Sequence, residues 1–131
     1  MDNKELIKYA LKAKNNAKVD ISGYYVGAAL LTCDNKVYLG CNIEDKTIPN
    51  LSICAERAAY INAISNGDYN FKKIAIVGGT KDNVDKTLSP CGVCLQYMLN
   101  YDKDIKVVTY INDELKELNT KANEDFDFLS N

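Results

Sequence analysis

Apolar side chains recur at two different spacings along this chain, and the two spacings predict a mixture of helices and strands. Between Asn3 and Lys18 the apolar residues return every three or four positions, with lysine and asparagine on the other side, so an amphipathic helix is predicted there. The same spacing returns from Ile53 and ends at Asn66-Gly67, a common helix stop. These two segments are the clearest predicted helices.

Four short apolar runs have the length of strands. The first two flank Asp34-Asn35-Lys36, which favours a turn, so they are predicted to form a hairpin. The third run is rich in β-branched residues, as is typical of a strand buried on both faces. In chain order the runs are Tyr24–Thr32, Val37–Glu44, Lys73–Gly79 and Ile105–Tyr110.

The segments between these elements contain two proline signals. Pro49 indicates a loop, because proline cannot serve inside a central strand. Ser89-Pro90 indicates a helix start, and this helix is predicted to run towards Tyr101. The order helix, hairpin, helix, strand, helix, strand predicts one α/β domain over residues 1–131, with helices packed on a mixed sheet.

Composition excludes several classes of protein. The chain has 131 residues, which suits a single domain, and no run of apolar residues reaches the ~18 that a membrane span needs. Its first residues lack the apolar core of a secretory signal. The net charge is −2 and the basic residues are scattered, which is a poor footprint for nucleic acid. We therefore expect a cytoplasmic protein with neither a membrane nor a nucleic acid as partner.

The chain has five cysteines and no histidine. An odd number of cysteines in a chain expected in the reducing cytosol argues against a disulfide framework and favours metal binding or catalysis. Without histidine, any metal must be held by thiolates or carboxylates.

Three of the cysteines are spaced as metal ligands. Cys91 and Cys94, three residues apart at a predicted helix start, point the same way, and Cys54 opens another predicted helix. Three ligands leave one position of a tetrahedral zinc open, as catalytic sites do. Two alternatives stay open: Cys41 could complete a structural four-cysteine site, or the cysteines could be small core residues. Cys33 and Cys41 are expected to be core thiols.

Two charged residues follow Cys54 directly. Glu56 is the candidate proton carrier, because it must lie near a metal bound by Cys54 and no histidine is available. Arg57 is a candidate donor of hydrogen bonds to the ligand sulfurs, which would offset their charge. The alternatives are an ordinary helix-start glutamate and an ordinary surface arginine.

Four motifs resemble one known family. Cys54-Ala55-Glu56-Arg57 and Ser89–Gln96 are similar to the zinc motifs of the small homotetrameric cytidine deaminases, and the zinc deaminases share a related signature. Val26–Leu30 and Gly40–Glu44 resemble the first two strands of that family. The resemblance covers roughly residues 4–111, with the motifs in the family's order.

The resemblance implies a three-layer α/β/α fold and a homotetramer with one zinc ion per subunit, held by Cys54, Cys91 and Cys94. It implies hydrolytic deamination of cytidine and deoxycytidine to uridine and deoxyuridine, with release of ammonia. In this reaction zinc-bound hydroxide attacks C4, while Glu56 carries protons to N3 and to the leaving amine.

The resemblance also implies substrate contacts. Asn42 and Glu44 correspond to the pair that binds the ribose hydroxyls, and Tyr24 stands where the family usually has a phenylalanine against the base. The backbone at Ala55 is expected to contact the pyrimidine edge. Asn42 and Glu44 are two residues apart on one strand face and can donate and accept hydrogen bonds, as hydroxyls require. The alternative is a merely polar strand end.

The chain departs from the family pattern at two places. Asp45–Asn50 replaces the usual Asn-Ala-Ser-Tyr-Gly and is one residue longer, in a region that meets a neighbouring subunit in the family. The usual Leu-Pro-x-x-Phe ending is missing, and Phe126 or Phe128 could serve instead. Two alternative functions therefore stay open: a deaminase of another aminopyrimidine or of a modified nucleoside of the blasticidin type, and a non-catalytic zinc-stabilised binding module.

Overall fold

The computed structural model of the protein describes residues 1–86 and 105–119. Within them lie α1 (Asn3–Lys14), β1 (Tyr25–Thr32), β2 (Val37–Cys41), a short 3₁₀ helix (Pro49–Leu51), α2 (Ala55–Ser65), β3 (Phe71–Gly79), β4 (Lys106–Ile111) and β5 (Glu114–Asn119). The helix predicted from Ser89 towards Tyr101, with Cys91 and Cys94, lies outside the described residues. So do Phe126 and Phe128.

The described strands form one mixed sheet in the order β2-β1-β3-β4-β5. Neighbouring strands are antiparallel except β3 and β4, which are parallel. A parallel pair needs a long crossover connection, and residues 80–105 provide one. The predicted α/β class with a mixed sheet is confirmed.

The sheet has a helix on each face. Ala28 and Leu30 of β1 point into a core that contains the buried residues of α2, whereas Ala29 and Leu31 point into a core formed with α1. This alternation follows from the two-residue period of a strand. The predicted three-layer α/β/α arrangement is therefore confirmed, and the face covered by α2 is called the α2 face below.

Helix α1 begins and ends for local reasons. The Asp2 carboxylate caps it by accepting a hydrogen bond from the Glu5 backbone N–H at 2.8 Å. The helix ends at Lys14, so the prediction that it reaches Lys18 is wrong. The backbone of Lys18 instead pairs with the chain after β2: its N–H donates to Asn42 O at 3.1 Å, and its carbonyl accepts from Glu44 N at 2.8 Å.

Strand β5 was not predicted from the sequence. It follows β4 through Asn112 and Asp113, which both have positive φ values, 52° and 67°. Two such residues form the tight hairpin turn that asparagine and aspartate favour. Leu115 and Leu118 then pack on opposite faces of the sheet edge.

None of the described helices is both long and apolar enough to cross a membrane.

Candidate active site

Helix α2 opens with the candidate metal ligand and the candidate proton carrier. Cys54 is its N-cap residue, in an extended conformation (φ −81°, ψ 159°). A helix start stabilises a thiolate, because the first N–H groups have no intrahelical acceptor and form the positive end of the dipole. Glu56 lies in the first turn with only 3% of its surface exposed. It is thus not the ordinary exposed glutamate of the alternative interpretation.

Two backbone hydrogen bonds connect this helix start to the other half of the site. Ile43 N donates to Ile53 O at 3.0 Å, and Ile53 N donates to Ile43 O at 2.9 Å. Ile43 lies between Asn42 and Glu44, and Ile53 directly precedes Cys54. The two sequence motifs are therefore adjacent in space.

The Asn42 side chain bridges the start of β1. Its Oδ1 accepts from Val26 N at 2.8 Å, and its Nδ2 donates to Tyr24 O at 2.9 Å. Strand β2 itself ends at Cys41, earlier than predicted, because the side chain of Asn42 takes over part of the backbone pairing. The Asn42 Oδ1 can still accept one more hydrogen bond, and its Nδ2 can still donate one more.

The Glu44 carboxylate organises the turn before β1. Its Oε1 accepts from Ile21 N at 3.1 Å and from Ser22 N at 2.9 Å. These hydrogen bonds, those from Ser22 above all, lower the pKa of the Glu44 carboxyl from its ordinary value. Glu44 therefore stays ionised at neutral pH and can accept hydrogen bonds.

Tyr24 lies on the same side of the sheet as α2. A Cβ atom at Gly78 would be 3.0 Å from the Tyr24 ring, so the ring covers Gly78. Gly78 is on the α2 face, because Ile76, two residues earlier on β3, points into the core beneath α2. The Tyr24 hydroxyl donates to Asp85 Oδ2 at 3.2 Å, and burial and the Asp85 charge raise the Tyr24 pKa to about 12.

The two other described cysteines lie elsewhere. Cys41 pairs with Gly27, where a Cβ atom would meet Ala10 O of α1, so Cys41 faces the α1 side. Its half-buried thiol has a pKa raised by desolvation. This position argues against Cys41 as a fourth ligand beside Cys54. Cys33 is exposed in the turn after β1, so its prediction as a core thiol is wrong.

Of the remaining candidate residues, Ala55 and Arg57 are described by the structure, whereas Cys91 and Cys94 are not. Ala55 is fully buried and Arg57 is half-buried in the first turn of α2. Within residues 1–86 and 105–119, no group of three His, Cys, Asp or Glu side chains is placed to hold a metal ion. Further ligands for a metal at Cys54 would have to come from outside those residues, where the predicted ligands Cys91 and Cys94 lie. Soft thiolates with an adjacent carboxyl fit zinc.

Sequence reasoning missed three residues of this site. Ser22 connects to Glu44, Asp85 accepts from Tyr24, and Gly78 leaves room for the Tyr24 ring. The Gly78-Gly79 pair was visible as a strand end, but nothing in the spacing linked it to Tyr24. Asp85 is 61 residues from Tyr24 in the chain, so only the sheet pairing brings them together.

A metal-dependent enzyme that moves protons is the class that this fold and site support. The model for the cytidine and deoxycytidylate deaminase zinc-binding region matches residues 1–111, and the chain belongs to this family. It is accordingly a zinc-dependent deaminase.

Relatives and solved structures agree with this assignment. A cytidine deaminase of Sporosarcina psychrophila is 42% identical over 101 residues, which cover 77% of this chain and 71% of that protein. A blasticidin-S deaminase of Bacillus cereus is 33% identical over 96 residues, covering 70% of this chain and 68% of that protein. The crystal structure of cytidine deaminase from Burkholderia pseudomallei superposes with a TM-score of 0.81 at 34% identity, covering 93% of this chain and 95% of that one.

Proposed function

We propose that this protein hydrolyses cytidine and deoxycytidine to uridine and deoxyuridine. Water supplies the oxygen that arrives at C4 of the base, and the amino group leaves as ammonia. The observation that carries the proposal is the meeting of two motifs: the Ile43–Ile53 bridge places the Asn42–Glu44 segment beside the helix start at Cys54 and Glu56.

Cys54, Cys91 and Cys94 are the proposed ligands of one zinc ion per subunit. When bound, zinc acidifies water and withdraws electrons from the reacting group. Three thiolates outweigh the charge of one zinc ion, so a cation nearby is needed to offset them. Arg57, which is half-buried in the first turn of α2 three residues after Cys54, is the proposed cation.

Glu56 is the proposed proton carrier. It takes one proton from the attacking water and passes it to N3 of the base. It then takes the second proton of that water from the hydroxyl formed at C4 and delivers it to the leaving amine. Its burial, with 3% exposed surface, keeps the carboxyl away from bulk water, where protons would be exchanged. The absence of histidine from the sequence leaves a carboxyl as the natural group for this role.

The nucleoside is held by residues that already organise the site. Asn42 and Glu44 are proposed to bind the ribose hydroxyls with the hydrogen-bonding capacity that their backbone contacts leave. The Tyr24 ring is proposed to pack against the base. The N–H of Ala55 belongs to the first turn of α2, which lacks intrahelical acceptors, and is proposed to meet the pyrimidine edge.

The proposal extends to assembly and compartment. Ile48, in the loop that the resemblance places at a subunit contact, exposes 51% of its surface, and the flanking Ile43 and Leu51 expose 44% and 64%, which supports a homotetramer. Thiolate ligands need a reducing environment, so we place the enzyme in the cytoplasm. Its substrate is a free nucleoside rather than a polynucleotide.

A second candidate substrate is a modified cytosine nucleoside of the blasticidin type. The loop after Glu44 has its own hydrogen-bonded structure: Asp45 N donates to Ser52 Oγ at 2.9 Å, and Asp45 Oδ1 accepts from Ile48 N at 2.7 Å. This loop replaces the usual family sequence next to a proposed ribose contact. This difference next to the proposed ribose contact is the feature that keeps the second candidate open.

Turnover of several substrates tests the proposal. The purified protein, with its zinc content measured, is incubated with cytidine, deoxycytidine, cytosine and blasticidin S while ultraviolet absorbance is followed. We expect turnover of both natural nucleosides. Turnover of blasticidin S alone would support the second candidate, and no turnover of any compound by zinc-loaded protein would refute both.

The variant Glu56→Gln separates catalysis from zinc-dependent folding. We expect turnover to fall by about 10²–10⁴-fold or more, with zinc content and unfolding midpoint retained, because only proton transfer is lost. Glu5→Gln, at an exposed position in α1, is the matched control and keeps full turnover. Unchanged turnover in Glu56→Gln would remove Glu56 from the mechanism and favour the non-catalytic module.

A further inference from the structure

Tyr24 is held at both ends by different parts of the chain. At its backbone, Tyr24 O accepts from Asn42 Nδ2 at 2.9 Å. At the tip of its side chain, the hydroxyl donates to Asp85 Oδ2 at 3.2 Å. An aromatic ring with only its backbone fixed could still turn about its side-chain torsions, so the contact with Asp85 selects one ring orientation.

Asp85 is itself fixed by the loop that follows β3. Its N–H donates to Gly78 O at 2.6 Å, which folds the loop back onto the end of the strand. The loop is also held from the other face of the sheet, because the buried Lys14 ammonium donates to Thr80 O at 2.7 Å. The hydrogen-bond acceptor for Tyr24 therefore has a defined position.

Gly78 completes the arrangement. A Cβ atom at Gly78 would lie 3.0 Å from both the Cε2 atom and the hydroxyl oxygen of Tyr24, which is tighter than ordinary van der Waals contact. The missing side chain lets the ring lie directly on the strand, within reach of Asp85. The ring then lies on the α2 face, where the proposed nucleoside site is.

We propose that Asp85 is a positioning residue for nucleoside binding, which orients the Tyr24 ring through the Tyr24 hydroxyl. The inference rests on the proposed function, since it takes the Tyr24 ring as a contact of the pyrimidine. Asp85 does not touch the substrate or the metal in this role. It holds the Tyr24 ring in the orientation that contacts the base before the nucleoside binds. Binding then does not cost the entropy of ordering the ring.

Four variants test this role: Tyr24→Phe removes the hydroxyl, Asp85→Ala removes the acceptor, Asp85→Asn keeps an acceptor oxygen, and one variant combines Tyr24→Phe with Asp85→Ala. KM and kcat for cytidine are measured for each. In a Glu56→Gln background, the Kd for cytidine is measured by calorimetry. Tyr9→Phe, in exposed α1, and Asp82→Ala, exposed in the same loop, are the matched controls.

We expect Tyr24→Phe and Asp85→Ala each to raise KM and Kd about fivefold, the size of one lost hydrogen bond, with kcat changed less than about twofold. The double variant should equal either single variant, because both remove the same interaction, and Asp85→Asn should restore most of the affinity. The controls should match wild type.

Two results would overturn the inference. Additive effects of Tyr24→Phe and Asp85→Ala would show that the residues act independently, and wild-type Kd in Tyr24→Phe would show that the hydroxyl has no role. If wild-type protein neither binds nor deaminates cytidine, the proposed function fails and the inference fails with it. If wild-type protein does both and the single variants match it, the inference alone fails.

Discussion

Gly40 of β2 and Ala55 at the start of α2 are in direct backbone contact. A Cβ atom at residue 40 would lie 2.4 Å from the Ala55 carbonyl oxygen and 2.3 Å from the Ala59 nitrogen, distances that real Cβ atoms do not show. Helix α2 therefore rests on the strand without an intervening side chain. The contact fixes the position of Cys54 and Glu56 over the sheet relative to Asn42, which follows Gly40 by two residues.

The variant Gly40→Ala should displace the start of α2. We expect a loss of about 3 kcal/mol in the free energy of unfolding by urea, together with faster release of zinc to a chelator, because the added methyl group meets backbone that cannot yield locally. Gly67→Ala is the matched control: no atom lies within 4 Å of its Cβ position, and only its φ of 86° opposes the change. The control should lose about 1 kcal/mol. Equal losses would contradict a special role for the Gly40–Ala55 contact.

Zinc content should depend on Cys54 and not on the other described cysteines. Cys54→Ser is expected to lose most of its zinc, measured by metal analysis after dialysis, because a serine hydroxyl is a poor substitute for a thiolate. Cys41→Ser should keep about one zinc ion per chain, since Cys41 faces the α1 side. The exposed Cys33→Ser is the matched control. Zinc loss in Cys41→Ser would revive the four-cysteine site.

The spacing of apolar residues predicted the helices and strands whose faces are buried regularly along their length. It missed the places where backbone pairing with another segment ends an element or where a strand lies in a polar segment. The apolar face of α1 and the buried run of β3 were identifiable, because burial on one or both faces leaves a regular pattern. The end of α1 was not, since Lys18 leaves the helix to pair with the chain beyond β2. Strand β5 escaped notice because its turn, Asn112-Asp113, lies in a polar segment.

The residues of the candidate site could be chosen from the sequence, but the contacts that position them could not. Cys54 and Glu56 could be chosen from residue type and spacing alone. The sequence could not reveal that Asn42 and Glu44 also hold the backbone around β1, because those contacts depend on how the hairpin and the preceding loop fold together. Such residues combine a structural and a proposed binding role, which makes their substitutions informative.

The variant Asn42→Asp should be less stable than wild type and should bind nucleoside more weakly. Aspartate keeps an acceptor for Val26 N but places a carboxylate oxygen where Nδ2 donates to Tyr24 O at 2.9 Å. We expect a loss of about 1–3 kcal/mol in the free energy of unfolding and a raised KM for cytidine.

Asn62→Asp is the matched control for this substitution. Asn62 Nδ2 also donates to a strand carbonyl, Leu39 O at 3.1 Å, but at an exposed position of α2. Water can replace that bond, so a loss below about 1 kcal/mol and an unchanged KM are expected. If both variants lose the same stability, the Asn42 bridge has no special importance.

The burial of Tyr24 beside the Asp85 carboxylate should make stability depend on pH in the alkaline range. The Tyr24 pKa is raised from 10.0 to about 12 in the folded protein. The contribution of the protonated Tyr24 hydroxyl to stability is therefore complete below pH 10 and is lost as the pH rises towards 12. Because the ring is partly exposed to solvent, we expect this contribution to be about 1 kcal/mol. Urea unfolding of wild type and Tyr24→Phe is compared at pH 8.5 and pH 11, with Tyr9→Phe as the control for losing an exposed hydroxyl. The stability advantage of wild type over Tyr24→Phe should shrink between these pH values, whereas an advantage that stays constant or grows would show that the hydroxyl is not held in its protonated form.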